Sequence, residues 1–359
     1  MTEPTPDLAS PSQPGPARKR LLFIGHYPLD QLASAPEVRI HSLRQALVDR
    51  CDLTFLTGTR EQRRRPLWQM IRSGTWRDYD GVYVEAASST AMEADLVLLK
   101  LWHDAGIPVS LFVRDVYPMF PDYFDSRPLK HKLLKAAWFI SMAAYRRWCS
   151  ILYFPTRKLA ELIAFPDKRL LPPGGNLRSQ PDPATRHGII YVGASSAVAG
   201  APRLLQAMDI VAAKQPQATL RFVTPNAAPL EAWRDRPWLT VTKASGEGLS
   251  QLLLSAAIAV VPRPRGAYND LCLPVKLLDY LSHGLPVVST DSPETAAFLT
   301  AIGAGEIVGD TPEAMAAGIL RLLENPDTCR ERGQAAVRAI SGPHSWEQRA
   351  ETILADLFP

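Results

Sequence analysis

Leu271-Cys-Leu-Pro274-Val-Lys276-Leu-Leu-Asp279-Tyr280-Leu-Ser-His-Gly284-Leu-Pro286-Val-Val-Ser-Thr290 compresses a polar loop, a short helix, a glycine stop and a buried strand into one unit. Pro274 suits the first turn of a helix, where the N–H it lacks is one the helix could not use, and Gly284 suits the residue just past a helix end. Between them Lys276, Asp279 and Tyr280 fall at i, i+3 and i+4 and share one face, while Leu277, Leu278 and Leu281 turn to the other. One face packs and the other is free to hold a ligand. The same spacing also suits an exposed Lys276–Asp279 ion pair and a Tyr280 that packs.

Outward from this unit, short β-rich runs alternate with longer helical patterns, which argues for parallel sheets wound by crossover helices. Leu21 to Gly25, Asp52 to Thr57, Gly81 to Glu85 and Pro108 to Val113 read as strands of a first domain. The pattern then restarts. Gly188 to Gly193, Ala218 to Thr224, Leu239 to Thr242, Ala257 to Pro262 and Pro286 to Thr290 read as strands of a second, with helices at Pro202 to Lys214 and Leu249 to Ala256. The Pro- and Gly-rich run from Leu171 to Pro183 is the expected hinge, because no periodic pattern crosses it. The fold class is α/β, with two Rossmann-like domains facing across a cleft.

With the run Pro274-x-Lys276-Leu-Leu-Asp279-Tyr280-Leu-x-x-Gly284-x-Pro286-Val-Val in view, the segment resembles the donor-binding signature of the GT-B glycosyltransferases of the large retaining family, glycosyl transferases group 1, which includes bacterial mannosyltransferases and glycogen synthases. In that family two acids stand eight positions apart: one grips the nucleotide ribose and the other lies near the transferred sugar. Asp279 takes the first of these places. Counting back, the other falls on Leu271, with Asp270 its immediate neighbour. Further matches follow in chain order: Ile151-Leu-Tyr-Phe-Pro-Thr156 before a helix, Tyr191-Val-Gly193 before a Pro202-started helix, and Ser345-Trp-Glu347 before a last helix. The Pro-, Ser- and Thr-rich residues 1–19 read as a disordered leader, and the resemblance implies an acceptor-side domain over 20–175, a nucleotide-sugar domain over 176–340 and a helix over 341–359 that crosses back to the first domain.

Ligands of open α/β sheets sit outside the carboxyl ends of the strands, so the donor is expected in the cleft between the domains. The family's usual phosphate-binding arginine and lysine are missing after Gly193, where only Arg203 follows; Arg263 and Arg265, just after a strand end, are the candidate replacements. The binding set is then Arg203, Arg263, Arg265, Lys276, Asp279 and Tyr280. Asp115, His26 and Asp270 are the catalytic candidates, the first two at strand ends of the first domain and Asp115 where relatives carry a histidine. Arg39 and His41 are weaker candidates. A retaining transferase of this kind needs little side-chain chemistry, since the departing diphosphate can accept the acceptor's proton. No cofactor is implied, the nucleotide-sugar being a substrate, and the resemblance implies metal independence.

Composition fits this reading. A chain of 359 residues with 46% hydrophobic content accommodates two domains, and no apolar run approaches the ~20 residues of a membrane span. The first nineteen residues lack the apolar core of a secretory signal, and the four cysteines form no metal or redox pattern, so the expected location is cytoplasmic. Two basic stretches bear aromatic residues: Arg60 to Arg77, with Arg63, Arg64 and Trp68, and Leu129 to Trp148, with Lys130, Lys132, Lys135, Arg146, Arg147 and Trp138. They suit an anionic membrane surface and hence a glycan or lipid-linked acceptor in surface polysaccharide or glycolipid assembly. A net charge of only +4 argues against nucleic acid. A nucleotide-sugar epimerase of the same architecture and a catalytically silent partner subunit are the alternative readings.

Overall fold

Short runs of β-branched and aromatic residues build the strands, and in the central ones nearly every side chain is buried, as expected where helices cover both faces of a sheet. The computed structural model describes residues 18–30, 34–86, 91, 93–120, 128–180, 182 and 185–359, with the side chains of 128–131 excepted. Most of the leader, and the Lys130 side chain, therefore lie outside the described residues.

The first sheet comprises β1 (Arg20–Gly25), β2 (Asp52–Thr57), β3 (Gly81–Glu85), β4 (Val109–Phe112), β5 (Ile151–Phe154) and β6 (Lys168–Leu170), ordered β2-β1-β3-β4-β5-β6. The second comprises β7 (Ile189–Val192), β8 (Leu220–Val223), β9 (Leu239–Thr242), β10 (Ile258–Val261), β11 (Val287–Thr290) and β12 (Gly305–Val308), ordered β12-β11-β10-β7-β8-β9. All neighbouring strands in both sheets run parallel. In each sheet the order reverses beside the first strand, which opens a crevice at the carboxyl ends of the strands. The nine strands of the sequence reading are all present. The edge strands β6 and β12 are absent from that reading because both are very short and carry charges, Lys168 and Arg169 in one and Glu306 in the other.

Crossover helices of the first domain are α1 (Ala35–Val48), α2 (Arg60–Ser73), α3 (Glu93–Asp104), α4 (Pro128–Trp148) and α5 (Arg157–Glu161). Those of the second are α6 (Ala201–Lys214), α7 (Gly246–Ser255), α8 (Val275–Ser282), α9 (Pro293–Ile302), α10 (Pro312–Glu324) and α11 (Pro326–Ser341), and α12 (Trp346–Leu357) ends the chain. The signature helix α8 begins one residue after Pro274, which serves as its N-cap. The last helix, α12, packs on the first domain. Its Trp346, Ala350, Ile353 and Leu357 share a core with Leu21, Phe23, Tyr83 and Phe112, Arg349 Nε donates to the Pro172 carbonyl at 2.9 Å, and the Tyr153 hydroxyl donates to Asp356 at 2.6 Å.

The domains also meet through the loop between β10 and α8. Tyr268 and Leu271 from this loop belong to the first domain's core. Tyr268 stacks on Tyr117 with ring centroids 4.5 Å apart, and the Thr156 hydroxyl donates to the Leu271 carbonyl at 2.6 Å. The signature loop thus anchors one domain to the other as well as leading into α8.

Candidate active site

Between the domains lies a cavity of about 340 Å³, with Tyr27, Arg39, Arg114, Asp115 and Tyr117 on the first-domain wall and Arg263, Leu273, Pro274 and Val275 on the second. The residues Pro274 and Val275 bring the N-terminus of α8 to this cavity, where the first N–H groups of the helix have no partner within it. An anion is favoured there by these donors and by the helix dipole.

Behind the second-domain wall lies the end of β7. Gly193, with φ +147°, leaves room for the Lys276 side chain; a Cβ there would stand 2.9 Å from Nζ. Lys276 reaches across from α8 and lays its ammonium 4.1 Å from the centre of the Tyr191 ring. Gly200 lets the next loop close on β10, since a Cβ on it would fall 1.7 Å from the Pro262 carbonyl oxygen. Burial, and then repulsion from Arg263, lower the Lys276 pKa to about 7. Among the described residues no carboxylate forms an ion pair with Lys276 or with Arg263. Two cations are therefore held near one another without an anion. Lys276, which the sequence reading placed in the binding set, thus reaches the end of β7 from α8.

Tyr280, read as a ligand contact, is instead a support. It is fully buried, and its hydroxyl accepts from the Val192 N–H at 2.8 Å, fixing the end of β7 beneath Lys276. Asp279 is exposed to solvent and does not line the cavity. Protein packed around its carboxyl nonetheless raises the pKa to about 6.

Arg265, Asp270 and Arg203 are drawn away from the cavity. Arg265 grips Asp270 with Nε at 2.9 Å from Oδ1 and Nη2 at 2.9 Å from Oδ2, and Asp270 also accepts from the Gly266 N–H at 3.3 Å. This pair clamps the loop that reaches into the first domain. Arg203 pairs with Asp310 at 3.1 Å. Sequence spacing places all three near strand ends but does not show that each has a partner in its own loop or the next.

On the first-domain wall Asp115 faces the cavity as expected and is buried; Arg114 Nε approaches it at 3.4 Å. His26 does not face it. Its ring lines a small internal void of about 10 Å³ with Asp95 and Tyr145, and burial together with Arg63 lowers its pKa to about 4. A neutral imidazole inside the domain is poorly placed to touch a substrate in the cleft. Arg39 does line the cavity, although it is buried and paired with Glu85 at 2.8 Å.

The basic stretches of the first domain also divide. Arg63 is buried against Asp95 at 3.0 Å, Trp138 packs into the core, and Trp68 is partly buried against it. None of the three is available to a membrane as the sequence suggested for Arg63, Trp68 and Trp138. On α4 the exposed residues are Leu133 at 65%, Ile140 at 63% and Phe139 at 50%, with Lys132, Arg146 and Arg147 also exposed. No helix among the described residues is long and apolar enough to cross a membrane.

Residues 186–325 match the family described as glycosyl transferases group 1. Comparison with curated proteins gives no match. Among solved structures, sucrose-phosphate synthase from Thermosynechococcus elongatus is 14% identical with a TM-score of 0.67, covering 95% of this chain and 98% of that one. Anabaena Alr3699/HepE, solved with UDP, is 13% identical with a TM-score of 0.65, covering 94% and 99%. WaaG, a glycosyltransferase involved in lipopolysaccharide biosynthesis, is 13% identical with a TM-score of 0.63, covering 93% and 99%. At these identities the structural likeness establishes the fold, two Rossmann-like domains in GT-B arrangement. Residues 186–325, across the second domain, are thus similar to the glycosyl transferases of group 1, and the chain along its length has the GT-B fold.

Proposed function

We propose that this glycosyltransferase takes a sugar from a nucleotide-sugar held on the second-domain wall and passes it, with retention, to a glycan or lipid-linked acceptor seated on the first. The observation that carries the donor half is the pair of cations, Lys276 and Arg263, held beside Gly193 and the α8 N-terminus with, among the described residues, no carboxylate paired to either. A diphosphate answers both charges and the helix donors at once. Asp279, one turn along α8, is assigned to the ribose hydroxyls.

In the transfer the bond from the sugar's anomeric carbon to the diphosphate oxygen breaks and a bond to the acceptor oxygen forms. The acceptor's proton moves to the departing phosphate. Lys276, Arg263 and the α8 N-terminus stabilise the charge that grows on that phosphate, so most of the catalysis lies in electrostatics and positioning. Asp115, on the opposite wall, is assigned to orient the acceptor hydroxyl.

The finer reading, a lipid-linked acceptor at an anionic membrane face, is supported by α4. Its exposed Leu133, Phe139 and Ile140 lie on the same helix as Lys132, Lys135, Arg146 and Arg147, and α4 packs against the Tyr117–Met119 turn that leads into the cavity. Apolar side chains that enter the interface and basic ones that attract headgroups are the two components of such adsorption.

The functional reading is tested by incubating the protein with a panel of nucleotide-sugars and glycan or lipid-linked acceptors and analysing every product by mass spectrometry and NMR. A new glycosidic bond with the donor's anomeric configuration is expected. Isomerised nucleotide-sugar would favour an epimerase, and nucleotide binding with neither product would favour a silent subunit. Co-sedimentation with vesicles tests the membrane reading separately: anionic vesicles should recruit the wild type more than neutral ones, and Phe139→Glu should abolish the difference. Equal recruitment by both vesicle types would leave a soluble acceptor.

A further inference from the structure

We propose that the acceptor carries a phosphate group, seated against Arg39 and Arg114 on the first-domain wall. This rests on the reading of that wall as the acceptor side. Arg39 is 2% exposed. Its Nε is 2.8 Å from Glu85 Oε1, the oxygen that also accepts from the Tyr83 hydroxyl, and its guanidinium stacks 3.7 Å from the centre of the Phe112 ring. Among the described residues neither terminal nitrogen, Nη1 or Nη2, has a hydrogen-bond partner.

Two unspent donors on a buried charge are costly to keep. The arginine fork is shaped to give two parallel hydrogen bonds to one phosphate or carboxylate. The nitrogens are closed off from bulk water, and Arg39 lines the cavity, so a ligand seated there is the partner that the proposal gives them. Arg114 stands on the same wall, its guanidinium 4.6 Å from the Tyr27 ring centre and its Nη2 donating to the Tyr27 hydroxyl.

Charge favours the same ligand. The charged residues lining the cavity are Arg39, Arg114 and Arg263 against Asp115, and Glu85 lies behind Arg39 as its fixed partner. Arg349 adds a further cation near Arg39, and its pKa is lowered to about 10 by burial and then by that repulsion. Arg263 belongs with Lys276 on the donor wall, which leaves Arg39 and Arg114 for a second anion opposite the diphosphate.

A phosphate in this cleft could belong to the donor or to the acceptor, and the test separates them. Inorganic phosphate is titrated by ³¹P NMR into the full chain, first alone and then saturated with UDP. The expected result is a phosphate site that survives UDP saturation and weakens at least tenfold in Arg39→Gln and in Arg114→Gln, but not in Arg265→Gln. Arg114→Gln keeps the test decisive should Arg39→Gln fail to fold, which a thermal melt would reveal. Phosphate fully displaced by UDP, or bound equally by the wild type and the folded wall variants, would overturn the proposal. Should UDP not bind, the donor reading fails on its own, and the unliganded titration still decides whether Arg39 and Arg114 hold phosphate.

Discussion

The two walls of the cleft are built in different ways. On the second domain, Lys276, Asp279 and Tyr280 come from one eight-residue helix whose N-terminus reaches the cavity, Arg263 lines it, and Gly193 lies behind it at the end of β7. On the first, Arg39 comes from α1, Glu85 from the end of β3, Phe112 and Arg114 from the end of β4 and the loop beyond it, and Trp346 from α12 at the far end of the chain. A wall folded from one local segment leaves its spacing in the sequence. One assembled from four distant places does not.

That contrast yields predictions of graded size. Replacing Lys276 and Arg263 together by Met and Ala should have the largest effect. Each charged contact is worth roughly 1.5–3 kcal/mol, so nucleoside diphosphate binding should fall by more than a hundredfold while the free nucleoside is affected far less. Equal losses for the two ligands would remove the phosphate role. Asp279→Ala comes next, with a single loss of roughly 1.5–3 kcal/mol felt by nucleoside and diphosphate alike. Calorimetry showing unchanged binding would take Asp279 out of the site. Because the Asp279 pKa is raised to about 6, its carboxylate should also lose its hold as the pH falls below that value.

The smallest effect is expected where the sequence suggested a contact and the structure shows a clamp. Arg265→Ala removes a partly exposed pair with Asp270, and should cost no more than about 1 kcal/mol of stability, with UDP affinity unchanged. A large loss of affinity for the diphosphate would return Arg265 to the phosphate site and blur the distinction between the walls.

Much of the fold was legible because buried strands of parallel sheets read as apolar runs, and the nine that do so were placed within one or two residues. β6 and β12 escaped because short edge strands can carry charge. The site was legible only in part. Periodicity put Lys276 and Tyr280 on one face of α8 but could not show that the tyrosine hydroxyl would be consumed by Val192 while the lysine stayed unpaired. Arg265 and Asp270 are five residues apart in a loop, and only the turn at Gly266 makes them partners. His26 sits at a strand end, yet its ring turns into the domain rather than the cleft. In each case the missing information is where a side chain points once the backbone bends, which spacing alone does not encode.

The central claim is that Lys276 waits, part neutral, for a diphosphate. Its pKa of about 7 in the free protein must rise when an anion binds, so binding takes up a proton, and affinity should decline as the pH climbs above 7. The diphosphate itself, with its second ionisation near pH 6, stays fully charged through that range. The most direct test is calorimetric titration of UDP at pH 8 in two buffers of different ionisation heat, for the wild type and Lys276→Met. The account predicts uptake of close to one proton per UDP in the wild type, by linkage from a pKa near 7, and none in the variant, which should bind more weakly. Wild-type binding without proton uptake, matched in affinity by Lys276→Met, would contradict it.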